Sequence, residues 1–406
     1  MLLSALPDKQ NPFRTKPCAG HSPVYQEKNF VTYRKPEDHL KLFLPGPTEV
    51  REEILDAQGR WMIGHRMPEA IQLFGRIQPK LRQVFRTDYR VYITASSGTG
   101  MWEAASRNCV ARKVLHCTNG SFGDRWADVA EANGKEVVRL EVDWGQPVLP
   151  DMVVEQLGAG GFDAVAFVQN ETSVGISNPA RDIAAAVRAM PGGRDITIMV
   201  DSVSGLTGME MEPDKWDIDI VLTSSQKAFA LPPGLAFASV SDRAFEKAKT
   251  VPHRGYYFDY VEMEKYLVKD QTPATPAISL LYALDVQLDA MLAEGMEHRW
   301  ARHLAMRDLV VNWATSRGFK LFANDLRYAS PTVTTIENSY DLSIKDMNGF
   351  LRKRGMVISN GYGKLKDKCF RIGHMGDWQV ADIEELLANM DDYLRSIDIA
   401  VIGKTA

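Results

Sequence analysis

Short apolar runs alternate with helical patterns between residues 90 and 240, and this alternation restricts the fold more than any other feature of the sequence. The strand candidates are Val91–Thr94, Val114–Cys117, Glu136–Val142, Ala164–Gln169, Ile196–Val200, Ile218–Thr223 and Leu235–Val240. The helix candidates between several of them are Met101–Arg112, Arg125–Ala132, Met152–Leu157 and Ala180–Ala189. Near-continuous apolar strands separated by helices are typical of a parallel sheet with both faces covered. We therefore predict an α/β fold with a mostly parallel, seven-stranded sheet in a large domain.

The sequence outside this region predicts an N-terminal arm and a smaller C-terminal domain. A long helical pattern runs through Ile278–Gly318. An α+β unit follows, with these candidates: strands Thr332–Thr335, Met356–Ser359 and Cys369–Ile372, and a helix at about Val380–Ile397. We predict an arm over residues 1–43, a large domain over 44–300 and a small domain over 301–406. The polar, proline-containing arm is either a disordered tail or a segment that crosses a partner subunit, and the sequence does not decide between them.

Composition excludes several classes of partner. The chain has 406 residues, 45% hydrophobic residues and a formal net charge of −4, which gives no electrostatic reason to expect nucleic acid or an anionic membrane. No apolar run approaches the length of a membrane span or of a signal-peptide core. The four cysteines are scattered, without a CxxC pair or zinc spacing: Cys18, Cys109, Cys117 and Cys369. We therefore expect reduced thiols, a cytoplasmic protein and no metal site.

Two charged residues follow buried strand candidates at the edge where parallel sheets bind ligands. Lys227 lies in the segment Ser224–Gly234, just past an apolar run. A buried amine tends to lose its proton, and a neutral lysine amine forms Schiff bases with carbonyl compounds. Asp201 ends the preceding strand candidate, where a carboxylate can keep a pyridine nitrogen protonated. Each residue also has a simpler interpretation, as a solvated lysine and as a buried structural aspartate.

Four further clusters have the chemistry of a cofactor or substrate site. Ser97–Gly100 opens a helix, and a helix N-terminus of this kind binds phosphate or is simply capped by a hydroxyl. Phe122 follows the second strand candidate, where an aromatic ring can stack on a planar cofactor or fill a turn. Thr172 ends another strand and offers a hydroxyl. Arg371 lies on a strand, where a guanidinium suits bidentate binding of a carboxylate or is solvated.

Ten collinear segments resemble the class V branch of fold-type I pyridoxal-phosphate enzymes, specifically the alanine–glyoxylate and serine–glyoxylate (pyruvate) aminotransferase group. They are Leu44–Thr48, Gly64–Glu69, Ser97–Gly100, Asn119–Gly123, Asn170–Gly175, Val200–Val203, Ser225–Ala228, Thr272–Pro276, Ser330–Thr334 and Phe370–Gly373. The resemblance implies a ping-pong aminotransferase that moves an amino group between alanine or serine and glyoxylate or pyruvate. It also implies a homodimer with active sites at the interface.

The resemblance assigns roles to residues of this sequence. Lys227 would bind the cofactor covalently and act as the acid and base, and Asp201 would pair with the ring nitrogen. Arg371 would bind the substrate carboxylate, assisted by the Gly46 backbone. The other cofactor contacts would be Ser97, Gly98, Thr99, Gly100, Phe122, Thr172, Val203 and Gln226, with Thr272 and Thr275 reaching the neighbouring subunit's phosphate. Phe122 stands where the family often has tryptophan, so that the ring is kept but the indole N–H is lost.

Three alternatives stay open at this point. Another reaction on the same fold is possible, such as that of a lyase or a desulfurase, but Asn324–Asp346 contains no cysteine to act as a nucleophile. A non-catalytic subunit would have no need of the lysine, aspartate and arginine. A nicotinamide enzyme would need a third glycine where Glu103 stands. One carboxylate-binding arginine is visible in the sequence, and this favours small donors over glutamate or aspartate.

Overall fold

The computed structural model describes residues 38–399, and from Leu40 onward they belong to one compact unit. Its strands are β1 (Lys41–Phe43), β2 (Arg90–Thr94), β3 (Lys113–Thr118), β4 (Glu136–Glu141), β5 (Ala164–Val168), β6 (Asn170–Glu171), β7 (Ile176–Ser177), β8 (Thr197–Asp201), β9 (Ile220–Ser224), β10 (Ala236–Val240), β11 (Val333–Glu337), β12 (Met356–Asn360) and β13 (Cys369–Gly373). Its helices are α1 (Glu52–Ala57), α2 (Pro68–Phe85), α3 (Gly98–Cys109), α4 (Ser121–Ala132), α5 (Pro150–Leu157), α6 (Ala180–Ala189), α7 (Asp242–Thr250), α8 (Tyr260–Leu267), α9 (Ile278–Glu294), α10 (Met296–Ser316), α11 (Ile344–Arg352) and α12 (Val380–Ser396).

The larger sheet has seven strands in the order β2-β10-β9-β8-β5-β3-β4. Its strands are parallel except β10, which runs antiparallel to both of its neighbours. Every strand candidate in this region is present, with ends that agree within two residues. The predicted α/β class with a mostly parallel seven-stranded sheet is confirmed.

Successive residues of the central strands face opposite layers of the core, as the pleat requires. On β5, Val165 and Phe167 belong to the core cluster that includes α2, α5, α6 and α9. Ala164 and Ala166 face the other cluster, which includes α3, α4 and α7. Small residues on that face let α3 lie close to the sheet, because their side chains occupy little of the space between helix and strands.

The smaller sheet has the order β1-β12-β13-β11 and packs against α10, α11 and α12. Its edge strand β1 comprises residues 41–43, which the sequence analysis placed at the end of the arm. The remainder of the predicted arm, up to residue 37, lies outside the described residues. The boundaries at residues 43 and 300 stay predictions.

The single helical pattern predicted over Ile278–Gly318 forms two helices, α9 and α10. They are separated by Gly295, which has a φ of +80° that a residue with a side chain rarely adopts. Sequence periodicity does not register such a break, because apolar residues continue on both sides of it. Within residues 38–399, no helix is long and apolar enough to span a membrane.

The loops that carry the candidate residues leave the same edge of the larger sheet. Asp201 ends β8, and Ser224 ends β9 three residues before Lys227. The segment after β2 leads into the N-terminus of α3, and the segment after β3 leads into α4. The hairpin of β6 and β7 follows β5 directly. The carboxyl ends of the parallel strands therefore bring these residues together, as expected for an open α/β sheet.

Candidate active site

A cavity of about 180 Å³ lies at this edge of the sheet. It is lined by Ser97, Gly98, Thr99, Trp102, Phe122, Arg125, Val168, Asn170, Thr172, Asp201, Val203, Ser204, Ser224, Gln226 and Lys227. Nine of the residues proposed from the sequence are in this set. Their convergence follows from the strand order, since they come from five separate segments that follow β2, β3, β5, β8 and β9.

The Lys227 amine lies deep in the cavity and donates a hydrogen bond to the carbonyl oxygen of Pro45. Its Nζ is 5.9 Å from the centre of the Phe122 ring. Burial lowers the pKa of Lys227 to about 8, and the positive charge of Arg371 adds to this effect. At neutral pH a larger fraction of this lysine is therefore neutral than of a solvated lysine. The neutral amine is the form that acts as a nucleophile.

Gly46 packs against the Lys227 side chain. A Cβ atom at residue 46 would lie 2.4 Å from Cδ and 2.7 Å from Nζ of Lys227. The φ of Gly46 is +116°, which also disfavours any other residue. The predicted substrate-binding residue Gly46 is thus in contact with the predicted catalytic lysine.

Asp201 is buried and accepts two short hydrogen bonds. The indole Nε1 of Trp102 donates to Oδ2 at 2.7 Å, and the backbone N–H of Val203 donates to Oδ1 at 2.6 Å. Burial raises the pKa of Asp201 to about 7, while both hydrogen bonds and the Lys227 charge act in the opposite direction. A carboxylate held in this way is well placed to pair with a protonated ring nitrogen. The sequence gives no sign of this role of Trp102, because no local pattern links it to Asp201, which is 99 positions away.

The N-terminus of α3 has the geometry of a phosphate cradle. Ser97 occupies the N-cap position, but its side chain makes no capping hydrogen bond to the described residues. A Cβ atom on Gly98 would lie 2.8 Å from Val203 Cγ2, so only glycine lets the first turn of α3 pack this closely against Val203. Ser224 Oγ and Gln226 Oε1 are buried and have no hydrogen-bond partner among the described residues. The amides of α3 and the Ser224 hydroxyl can donate hydrogen bonds to a phosphorylated ligand, and the Gln226 side chain can donate through its Nε2 group.

Arg371 lies on β13 and points towards the hairpin that follows β5. Its guanidinium donates to the carbonyl oxygens of Thr172 and Asn360 at 3.1 and 3.0 Å, and to Ser359 Oγ at 2.9 Å. Burial lowers the pKa of Arg371 to about 10. These bonds use three of its five N–H donors within the described residues and fix its orientation, which suits it to bind a carboxylate.

Two residues near the cavity were not found from the sequence. The Tyr362 ring lies 5.3 Å from the Phe122 ring and 5.4 Å from the Arg371 guanidinium carbon. Arg125 donates from Nη2 to the Tyr362 hydroxyl at 2.6 Å. No sequence signal marks Tyr362, because it lies in a loop that is distant in the chain and has no motif. Arg125 is the first residue of the predicted helix Arg125–Ala132 and could have been noticed, since the first turn of that helix faces the same edge of the sheet.

Thr272 and Thr275 are not part of this cavity within one chain. They line a separate, smaller cavity together with Tyr256 and Tyr257. Arg66 holds this segment through hydrogen bonds from its guanidinium to the carbonyl oxygens of Thr272 and Pro273. Their predicted contact with a neighbouring subunit stays a prediction.

Comparison with known proteins shows the family of the chain. The family described as Aminotransferase class-V matches residues 51–369. The chain is 34% identical to the L-aspartate–glyoxylate aminotransferase of Paracoccus denitrificans, over 82% of this chain and 86% of that protein. It is 30% identical to the serine–glyoxylate aminotransferase of Methylorubrum extorquens, over 86% and 88%. The crystal structure of an alanine–glyoxylate aminotransferase from Nostoc sp. superposes with a TM-score of 0.83 at 26% identity, over 91% and 99%.

The chain belongs to the class V aminotransferase family. It is a pyridoxal-phosphate-dependent aminotransferase with the fold-type I architecture. The cavity fits this cofactor: it combines an uncapped helix N-terminus and two unpartnered polar atoms with a buried carboxylate and a lysine amine.

Proposed function

We propose that this enzyme transfers the amino group of a small amino acid, alanine or serine, to a small 2-oxo acid, glyoxylate or pyruvate. The observation that carries the proposal is the position of Arg371, which is buried beside the hairpin that lines the lysine cavity. A guanidinium there can hold the carboxylate of a bound amino acid close to Lys227. The named relatives from three organisms share glyoxylate and differ in the amino donor, which supports glyoxylate as the acceptor.

We assign each step to residues of the chain. Arg371 binds the α-carboxylate and thereby orients the Cα–H bond of the donor. The Lys227 amine, once released, removes the Cα proton, and its lowered pKa of about 8 lets it take up and return a proton near neutral pH. Asp201 holds a proton on the ring nitrogen through its buried carboxylate. Bound pyridoxal phosphate supplies the electron withdrawal that makes the Cα proton acidic.

The remaining site residues are proposed to hold the cofactor. Ser97, Gly98, Thr99, Gly100 and Gln226 would bind its phosphate at the N-terminus of α3. Phe122 and Val203 would enclose the ring from its two faces, and the Thr172 hydroxyl would approach the phenolic oxygen. In the second half of the ping-pong cycle the same groups act in reverse on the 2-oxo acid.

A half-reaction screen tests the donor. Each amino acid is mixed with the purified enzyme in the absence of a 2-oxo acid, and the loss of visible cofactor absorbance is followed. Alanine and serine are expected to react fastest, because Arg371 is the carboxylate partner that they require. A much faster reaction with glutamate would contradict the proposal, and an unreactive colourless enzyme would refute the whole assignment.

A second candidate donor is aspartate, and one observation favours it. Arg125 lines the cavity and forms a hydrogen bond to Tyr362, so a second guanidinium stands near the substrate site. This arginine could bind a distal carboxylate, which the sequence analysis had no reason to expect. The variant Arg125→Gln separates the two: it should lower kcat/KM for aspartate at least tenfold and leave alanine nearly unchanged if aspartate is the donor. Equal effects on both amino acids would exclude this role.

We also propose a homodimer whose interface contains a set of exposed apolar side chains, which we term the patch: Trp61, Met62, Met67, Tyr256 and Tyr257. Trp61 is 93% exposed and Tyr256 is 66% exposed, which is unusual for such large apolar side chains. The patch borders the Thr272–Pro276 segment, which is expected to serve a neighbouring subunit's cofactor.

Sedimentation of the purified protein tests the dimer. The variant Trp61→Glu should dissociate it, whereas Leu326→Glu, which alters an exposed leucine outside the patch, should not. A wild-type protein that is monomeric at micromolar concentration would contradict the proposal.

A cytoplasmic location is proposed as well, because Cys109, Cys117 and Cys369 are unpaired thiols. Cell fractionation tests this location.

A further inference from the structure

Glu171, in β6, is a buried carboxylate that lies beside the cavity and is not among the proposed cofactor or substrate contacts. It is fully buried, and its two oxygens accept four hydrogen bonds. Oε2 accepts from the backbone N–H groups of Phe122 and Gly123 at 3.1 and 3.0 Å. Oε1 accepts from the backbone N–H and the hydroxyl of Ser173 at 3.0 and 2.6 Å. Burial raises the pKa of Glu171 above its ordinary value, and these four hydrogen bonds oppose the rise because they favour the ionised carboxylate.

The hydrogen bonds of Glu171 and Ser173 cap the N-terminus of α4. The first amides of a helix lack partners within the helix, and a negative charge there is favourable. Glu171 serves Phe122 and Gly123, while Ser173 Oγ accepts from the N–H of Ser121 at 3.0 Å. A Cβ atom on Gly120 would lie 2.4 Å from Glu171 Cγ, which shows how closely the carboxylate approaches this turn. The main chain that carries the Phe122 ring is therefore held by Glu171.

The same carboxylate acts on the charges of the active site. The residue after Glu171 is Thr172, whose carbonyl oxygen accepts a hydrogen bond from Arg371. The charged groups that influence the Lys227 amine are Arg371, which lowers its pKa, and Asp201 and Glu171, which raise it. Glu171 also raises the pKa values of Arg371 and Asp201. Its negative charge thus partly offsets the Arg371 charge at the lysine.

We propose that Glu171 is a positioning residue with two separable effects: its hydrogen bonds fix the Phe122 ring over the cofactor site, and its charge offsets that of Arg371 at the Lys227 amine. The inference rests on the proposed role of Lys227 as the lysine that binds the cofactor. It gives a function to an acidic residue in a fully buried position, where a carboxylate without partners would be costly. It also leaves the N-terminus of α3, rather than that of α4, to bind phosphate.

Two variants separate the effects. Glu171→Gln keeps the side-chain shape, and its amide oxygen can still accept from Phe122 and Gly123, which carry the ring. It removes the charge and also the acceptor for the Ser173 N–H. Glu171→Asp keeps the charge and is too short to maintain all four bonds. The first measurement is the pH midpoint of the visible absorbance of the lysine-bound cofactor. The second is the dissociation constant of pyridoxamine phosphate, which binds without a covalent bond, measured by equilibrium dialysis.

Glu171→Gln should lower the pH midpoint by about one unit, because a negative charge is lost beside a cationic group, and should bind pyridoxamine phosphate as tightly as the wild type. Glu171→Asp should keep the midpoint and bind pyridoxamine phosphate roughly tenfold more weakly, as expected for the loss of about 1.4 kcal/mol of positioning. Unchanged values in both variants, or a midpoint that moves equally in both, would overturn the proposal.

Two further results keep the test decisive. Ser173→Ala is a second variant for the hydrogen-bond effect that leaves Glu171 itself intact: it keeps the charge and removes two hydrogen bonds, so binding should weaken at an unchanged midpoint. A shifted midpoint or unchanged binding in Ser173→Ala would overturn the proposal. A wild-type enzyme without any lysine-bound chromophore would refute the proposed role of Lys227, whereas a normal chromophore that is unaffected in the variants would refute only the role of Glu171.

Discussion

Burial shifts the pKa values of Lys227 and Asp201 towards each other. The pKa of the lysine falls to about 8 and that of the aspartate rises to about 7, because each charged form is poorly solvated in the cavity. Trp102, Val203 and Glu171 then modify these values through specific bonds and charges. The Lys227 amine can therefore exchange a proton close to neutral pH, as its proposed role as general acid and base requires.

In the cofactor-free protein, the titration of Asp201 should make the free energy of unfolding depend on pH. The folded-state pKa of Asp201 is about 7 and lies above the ordinary value, so its stabilising contribution is present at low pH and is lost as pH rises from about 4 to 7. Asparagine does not titrate, so the variant Asp201→Asn does not lose unfolding free energy in this way as pH rises. Its unfolding free energy, relative to the wild type, should increase between pH 4 and pH 8, by on the order of 4 kcal/mol.

Urea unfolding at several pH values measures this difference. The difference between the two proteins cancels the titration of the buried histidines, which both retain. A difference that is constant across the pH range, or that falls as pH rises, would contradict the assigned pKa. In the cofactor-loaded enzyme the same variant should slow transamination by about a hundredfold or more, because the charge that supports the ring nitrogen is gone.

At the scale of single elements, the N-terminus of α3 has a sharp steric requirement. The variant Gly98→Ala places a Cβ atom 2.8 Å from Val203 Cγ2, and a real Cβ atom does not tolerate this distance. Either the helix start or the Val203 side chain must then shift, and both line the cavity, so pyridoxal phosphate should bind at least tenfold more weakly. Equilibrium dialysis against the cofactor measures the effect.

Gly349→Ala is the matched control, since Gly349 lies within α11 and a Cβ atom there would meet nothing within 4 Å. That variant should leave cofactor binding unchanged and raise stability by a few tenths to about 1 kcal/mol, because alanine favours the helix. Equal cofactor binding by Gly98→Ala and the wild type would show that phosphate is held elsewhere.

The large sheet could be predicted from the sequence because its strands are buried on both faces. Such strands are continuous apolar runs, and Ala164–Val168 or Ile220–Ser224 stand out without any knowledge of their neighbours. The direction of the strands then fixes the edge at which Asp201 and Lys227 meet. The short edge strand Lys41–Phe43 was missed, because three residues carry too little pattern and their pairing partner, β12, is about 300 residues away.

The contacts that complete the site could not be predicted in this way. Trp102 reaches Asp201 from a helix, and Tyr362 reaches Phe122 from a loop of the small sheet. Glu171 is adjacent to a residue that was selected, yet only the structure shows that its carboxylate faces the start of α4. Such contacts depend on side-chain direction across the fold, which no local periodicity records.

At the scale of the whole molecule, a buried ionic network fixes the chain beyond Lys227. Arg299 donates to the carbonyl oxygen of Ala228 at 3.0 Å and pairs with Asp377 at 2.9 Å. Gln287 donates to the carbonyl oxygen of Phe229 and to Asp377, both at 2.9 Å. Because Asp377 follows the strand that carries Arg371, the network ties the lysine segment to the substrate-binding strand.

The variant Asp377→Ala should lower the unfolding free energy by about 3 kcal/mol, since it leaves the buried Arg299 guanidinium without one of its carboxylate partners. The control Asp392→Ala removes an exposed ion pair with Arg395 and should change stability by less than about 1 kcal/mol. Urea unfolding compares the two variants. A similar small effect in both would mean that the network contributes nothing to holding the segment.

Lys227 is proposed to bind pyridoxal phosphate covalently, and borohydride reduction of the purified enzyme tests this bond most directly. Reduction should bleach the visible absorbance and attach the cofactor permanently to one lysine, which peptide mass mapping then identifies. The predicted result is the added mass of a reduced phosphopyridoxyl group on Lys227 alone, and no labelled peptide in Lys227→Ala. A label on a different lysine, or a protein that takes up pyridoxal phosphate without any covalent bond, would contradict the account.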